Sequence, residues 1–197
     1  MLSQYKSYFE ETLQPVAKAL RFIHPNFLTV IGIIPQLLFF YLMSQHNYGW
    51  AVIALAFSFI DMLDGMIARA THRVSAFGGF LDSVFDRLSD FLIISAFYVA
   101  GLVNLPLTAT LLVSSFMVSY IRSRGSLASG GKLKFEVGWI ERPERIILLF
   151  FVIVLQISIP NAQISGHSLA EVLIFFLTIL TVITFFQRMS HAYDKLD

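Results

Sequence analysis

Apolar residues in this chain do not alternate with polar ones. They gather into six long runs, at about 27–45, 48–68, 80–103, 105–121, 146–160 and 168–187. A hydrocarbon core about 30 Å thick takes roughly 20 apolar residues of helix to cross. Runs of this length, separated by short polar links, predict an all-α integral membrane protein with six transmembrane helices. Ahead of them, Leu2, Tyr5, Phe9, Leu13, Val16, Leu20 and Ile23 recur at steps of three or four with charge opposite. That stripe predicts an N-terminal amphipathic helix over 1–23 lying in the membrane interface, bent or split at Pro15. The whole of 1–197 reads as a single membrane domain: the interfacial helix, then a six-helix bundle over 27–187.

Composition agrees. The chain is 56% hydrophobic with a mean hydropathy of +0.72, well above a soluble domain. A net charge of +1 argues against a nucleic-acid partner. With no cysteine, disulfides and thiolate metal sites are excluded. Glu10 and Glu11 interrupt the first residues, so no secretory signal is expected there. The placement of charge orients the bundle. All 14 Lys and Arg lie before the first span, around the second and fourth connections, or after the last span, and none lies at 45–48, 102–105 or 160–167. The positive-inside rule then puts both termini in the cytoplasm, in a multi-pass protein of the cell membrane. The five histidines show no metal-ligand spacing and read as interfacial or solvated.

Candidate chemistry concentrates in residues 61–86. Asp61 and Asp64 share a helix face at the cytoplasmic end of the second run, and Asp82 and Asp86 share one at the start of the third. A carboxylate placed near hydrocarbon costs roughly 2.5–3.5 kcal/mol, and four together repel one another. Divalent cations are the simplest remedy, and oxygen-only ligands suit Mg²⁺ or Mn²⁺. Four carboxylates suffice for two ions that share ligands, an arrangement that clamps phosphate or pyrophosphate. Gly65 and Ala68 keep one helix surface open, Gly78 and Gly79 ahead of the third helix admit a phosphate or nucleotide, and Arg69 counters a diphosphate. Asp90 falls outside this set and reads as a partner for Arg87 or a basic loop residue. A metal-ion transporter is the rival from another class, but it calls for carboxylates near the midplane and for inverted repeats. Here the carboxylates sit toward the basic face and no repeat is visible. A structural scaffold leaves the Asp/Gly spacing without a reason.

The spacing Asp61, Asp64, Gly65, Ala68, Arg69, Gly78, Asp82, Asp86 matches D-x2-D-G-x2-A-R-x8-G-x3-D-x3-D without departure, and so resembles the CDP-alcohol phosphotransferase family. The resemblance implies a metal-dependent enzyme that moves a phosphatidyl-type group from a CDP-linked lipid to an alcohol and releases CMP. Asp61, Asp64 and Asp82 would hold two metals. Asp86 would ligate one metal and act as general base on the acceptor hydroxyl. Gly65, Ala68, Arg69 and Gly78 would line the CDP site, edged by Asn26 and Thr29 of a P-N-x2-T element that also resembles the family. The resemblance further implies a homodimer.

The acceptor is read from the fourth connection, 125–145, taken as the longest loop and without helical periodicity. Arg122, Arg124, Lys132, Lys134, Arg142 and Arg145 give it more positive charge than a bare polyol needs, which suits an acceptor that already carries phosphate. The stretch GWIERPER, 138–145, is similar to phosphatidylinositol phosphate synthases and their archaeal archaetidylinositol phosphate relatives, whose acceptor is inositol phosphate. The expected contacts to the acceptor phosphate are Arg122, Arg142, Arg188 and Lys132, with Arg124 and Arg145 in reserve. GKLK at 131–134 keeps glycerol 3-phosphate as the alternative acceptor.

Overall fold

Pro35 decides how the first apolar run folds. Its ring removes one helical hydrogen bond and crowds the carbonyl four residues back, at Ile31. The run therefore forms two consecutive helices, α1 (Pro25–Ile31) and α2 (Ile33–Ser44), joined at Gly32. The computed structural model describes residues 25–58 and 75–196. The interfacial helix expected over 1–23, the histidines at 24 and 72, and Asp61, Asp64, Gly65, Ala68 and Arg69 lie outside those residues. The chain divides into two compact units, 1–96 and 97–197.

In the first unit, α2 packs against α3 (Tyr48–Phe57). Phe39 and Met43 of α2 and Ala51 and Leu55 of α3 are fully buried. Helix α4 (Ala76–Val99) starts earlier than the third apolar run. Ser75 caps it, its Oγ accepting the Gly78 N–H at 3.0 Å while its carbonyl accepts the Gly79 N–H at 3.1 Å. Gly78 and Gly79 consequently lie within the first turn of the helix, not ahead of it. The first half of α4 carries the acidic residues. The second half buries Ile93 and Ala96.

The second unit holds α5 (Leu105–Ala128), α6 (Arg142–Ser158) and α7 (Leu169–Leu196), with α7 packed against the other two. Asn104 caps α5 by accepting the Leu107 N–H at 2.9 Å, with Pro106 in the first turn. A two-residue antiparallel ladder, β1 (Gln163–Ile164) with β2 (His167–Ser168), precedes α7. Ser165 and Gly166 both have positive φ, as the tight turn between paired strands demands. The buried surfaces of α5 and α7 are rich in small hydroxyl residues, including Ser114, Ser115, Thr178 and Thr181. Thr178 and Thr181 each donate to the carbonyl one turn back at 2.8 Å, so these two hydroxyls need no partner on a neighbouring helix and the helices can approach closely.

Among the described residues, three helical stretches are long and apolar enough to cross a membrane: Asn26–Ser44, Leu105–Ala128 and Leu169–Leu196. Trp50, Phe57, Phe151, Phe175, Phe176 and Phe186 are all exposed along the helices, the pattern of a surface that faces lipid.

Candidate active site

The first unit presents the acidic face. Asp82 and Asp86 stand one turn apart near the start of α4, Asp82 exposed and Asp86 half-buried. The Arg87 guanidinium lies 3.7 Å from Asp86 Oδ2, a loose ion pair. Asp90, a further turn along, is 2% exposed. Among the described residues no three acidic or histidine side chains converge as a metal cage. The two described carboxylates of the expected set supply only hard oxygen donors on one helix face, which fits Mg²⁺ or Mn²⁺.

The two candidate nucleotide elements meet in the same unit. Gly78 of α4 lies against Asn26 of α1: a Cβ built on Gly78 would sit 3.1 Å from Asn26 Oδ1 and 3.1 Å from Ser75 Oγ. The glycine thus leaves room for two protein side chains, a role beyond the ligand access expected for it. Thr29, one turn beyond Asn26, is 4% exposed. Residues more than 50 positions apart in sequence are therefore neighbours, and the P-N-x2-T element joins the second half of the acidic motif.

The second unit presents the basic face, and its loop is shorter and more ordered than the sequence indicates. α5 continues through Arg122 and Arg124 to Ala128, and α6 begins at Arg142, so only 129–141 is without helix. The helix ends at Gly130 and Gly131, both at positive φ, with the Gly131 N–H bonded to the Ser126 carbonyl at 2.8 Å. The loop is then pinned at several points. Phe135 is buried and its ring fills the space above Gly125, where a Cβ would come within 2.8 Å of it. It also meets His191 edge-on, with centroids 5.8 Å apart. His191 is half-exposed and also packs against the loop through this contact.

Arg188 closes the same loop onto α7. It is 2% exposed. Its Nε donates to the Val137 carbonyl at 2.7 Å, its Nη1 to the Val118 carbonyl at 2.9 Å and its Nη2 to Glu141 Oε1 at 2.8 Å. Three of the five guanidinium donors are thus committed to protein. Glu141 thus pairs with one of the arginines expected to meet the acceptor. Arg122 lies near enough to act on the Arg188 charge. Arg142 opens α6 immediately after Glu141, and Lys132 is exposed just past the glycine pair. Arg145 is 1% exposed and Arg124 is exposed. A cavity of about 660 Å³ between α5 and α7 is lined mainly by apolar side chains, with Asn104, His167 and Glu171 among them. It contains none of the expected site residues.

A family model described as CDP-alcohol phosphatidyltransferase matches residues 22–187. The chain belongs to this family. It is a transferase of phospholipid biosynthesis, and the matched span runs through both units. It is 41% identical to the archaetidylinositol phosphate synthase of Pyrococcus horikoshii, over 100% of this chain and 99% of that protein. It is 32% identical to the phosphatidylinositol phosphate synthase of Streptomyces avermitilis, over 96% of this chain and 81% of that one. Its fold matches the phosphatidylinositol phosphate synthase of Mycobacterium tuberculosis, solved with CDP-DAG bound, with a TM-score of 0.74 at 27% identity, covering 91% of this chain and 92% of that one. A second structure of that synthase, holding manganese and citrate, also gives a TM-score of 0.74 at 27% identity and covers 91% and 88%.

The motif residues were legible because their spacing is local. Ser75, Gly138 and Thr184 were not assigned any part in the site. Ser75 had a signal, a serine three residues ahead of a glycine pair at a helix start. The engagement of Thr184 had none, because its partners lie about 45 residues away.

Proposed function

We propose that this transferase moves the phosphatidyl-type group of a CDP-linked lipid, CDP-diacylglycerol or CDP-archaeol, onto inositol phosphate and releases CMP. The observation that carries the reading is full-length identity of 41% to an archaetidylinositol phosphate synthase. In this reading the protein spans the cell membrane six times, with both termini and the active site on the cytoplasmic side, and works as a homodimer. The lipid substrate arrives from the bilayer and the polyol phosphate from water.

Asp61, Asp64, Asp82 and Asp86 would hold two divalent cations, Mg²⁺ or Mn²⁺. When bound, such ions supply stabilisation of the negative charge that grows on pyrophosphate as CMP departs. The chain's own groups do the rest. Asn26, Thr29, Gly65, Ala68, Arg69 and Gly78 bind and orient the CDP moiety. Asp86 Oδ accepts the proton of the acceptor hydroxyl as its oxygen bonds to the lipid-bearing phosphorus. The bond from that phosphorus to the CMP oxygen breaks in the same displacement. Arg122, Arg142 and Lys132 bind the acceptor's phosphate. Arg188 adds charge behind them and the two guanidinium N–H groups beyond the three already engaged.

An acceptor panel tests this. Purified transferase given CDP-lipid is expected to release CMP with inositol phosphate, and at least about tenfold more slowly with inositol at equal concentration, since a lost charged contact to phosphate is worth about 1.5–3 kcal/mol. Glycerol 3-phosphate keeps the phosphate but lacks the ring hydroxyls and is expected to react more slowly than inositol phosphate. CMP release with glycerol 3-phosphate but not inositol phosphate would replace the acceptor.

A further inference from the structure

The strongest unassigned feature is the junction between the loop 129–141 and the buried face of α7. Thr184 is fully buried. Its hydroxyl donates to the Leu180 carbonyl at 2.9 Å and accepts the backbone N–H groups of Trp139 at 3.2 Å and Ile140 at 3.1 Å. One donor and two acceptor positions are all a hydroxyl has, so the group is saturated, two of its three bonds going to a loop about 45 residues away. Gly138, immediately before, has φ +133, and a Cβ there would run into the Thr184 methyl. Only glycine allows that approach and that backbone angle together. One turn along α7, Arg188 holds the Val137 carbonyl and Glu141 from the same helix. Two residues of α7 thus grip the loop at 137, 139, 140 and 141, and Arg142 follows without an intervening residue.

We propose that Thr184, with Gly138, is a positioning residue for acceptor binding: it fixes the backbone that presents Glu141 and Arg142. The inference rests on the reading that the arginines of this segment take the phosphate of the acceptor. A loop held only by its exposed lysines would sample many conformations and would meet a phosphate weakly. A loop tied to α7 at 137, 139, 140 and 141 is ordered before the acceptor arrives, which removes the ordering cost from binding.

The experiment compares Thr184→Val, which keeps the shape and removes the hydroxyl, with Thr184→Ser, which keeps the hydroxyl. In Thr184→Val the two loop N–H groups lose their acceptor. The acceptor KM is expected to rise about tenfold, with the CDP-lipid KM within about twofold of wild type. Thr184→Ser is expected to restore the acceptor KM. Amide hydrogen exchange at 136–141, measured without substrate, is expected to quicken in Thr184→Val and not in Thr184→Ser. Gly138→Ala disturbs the junction from the loop side and should give the same split if Thr184→Val does not fold. Equal rises in both KM values, or unchanged exchange at 136–141, would overturn the proposal. If wild type prefers glycerol 3-phosphate, the acceptor reading fails and the KM split is measured for that acceptor, so the two failures are told apart.

Discussion

Asp86→Asn is expected to lower CMP formation about a thousandfold while CDP-lipid still binds. Asparagine preserves size and oxygen ligation but cannot take a proton from the acceptor hydroxyl, and a positioned general base contributes roughly 10²–10⁴ in rate. The position of Asp86 suits the role. It sits half-buried, one helical turn past Asp82, with the Arg87 guanidinium 3.7 Å away. The contrast is with Asp82→Asn, a change at a residue assigned to metal alone, whose loss should respond to raised metal concentration. Turnover of Asp86→Asn above a tenth of wild type would remove it as the base. A matching collapse of CDP-lipid affinity would make it a binding residue instead.

Arg188→Met should cost stability as well as activity. The side chain is buried, and its removal takes the guanidinium donor from the Glu141 carboxylate and from the carbonyls of Val118 and Val137. Breaking a buried charge pair from one side costs about 3–5 kcal/mol, here toward the lower end because the Glu141 side chain is 18% exposed. The apparent Tm in detergent is expected to fall by roughly 10 °C, alongside a large rise in acceptor KM. Arg188→Lys should not restore Tm, because a single ammonium cannot reach three acceptors spread around a planar fork. If Arg188 served the acceptor phosphate alone, Tm would be unchanged and only the KM would move.

The acidic and the basic face differ in how far sequence reaches them. The acidic motif was legible because helical spacing is local. Asp82 and Asp86 share a face by being four apart, and the family assignment follows from gaps that can be counted. Helix ends were less legible, since hydropathy marks where a membrane can lie and not where hydrogen bonding stops. Helix α5 runs past Arg122 to Ala128 and ends where two glycines accept positive φ. Helix α7 likewise carries Arg188 well inside its last turns. The expected loop 125–145 shrank to 129–141 for that reason. What fixes the loop was not legible at all. Gly138 against Thr184, Phe135 over Gly125 and Arg188 to Glu141 are contacts between distant positions, and no local pattern announces them. The Asn26–Gly78 approach belongs to the same class, although the resemblance had already assigned both residues to one substrate.

The central claim is that the clustered aspartates hold a pair of divalent cations without which a nucleotide-activated lipid is not cleaved. Stripping the purified transferase with EDTA and titrating it with Mn²⁺, followed by electron paramagnetic resonance and by CMP release in parallel, tests it most directly. The account predicts about two bound ions per chain, CMP formation that returns as they bind, and loss of both in Asp82→Asn at low metal. Undiminished CMP release after stripping, with no Mn²⁺ bound, would contradict it.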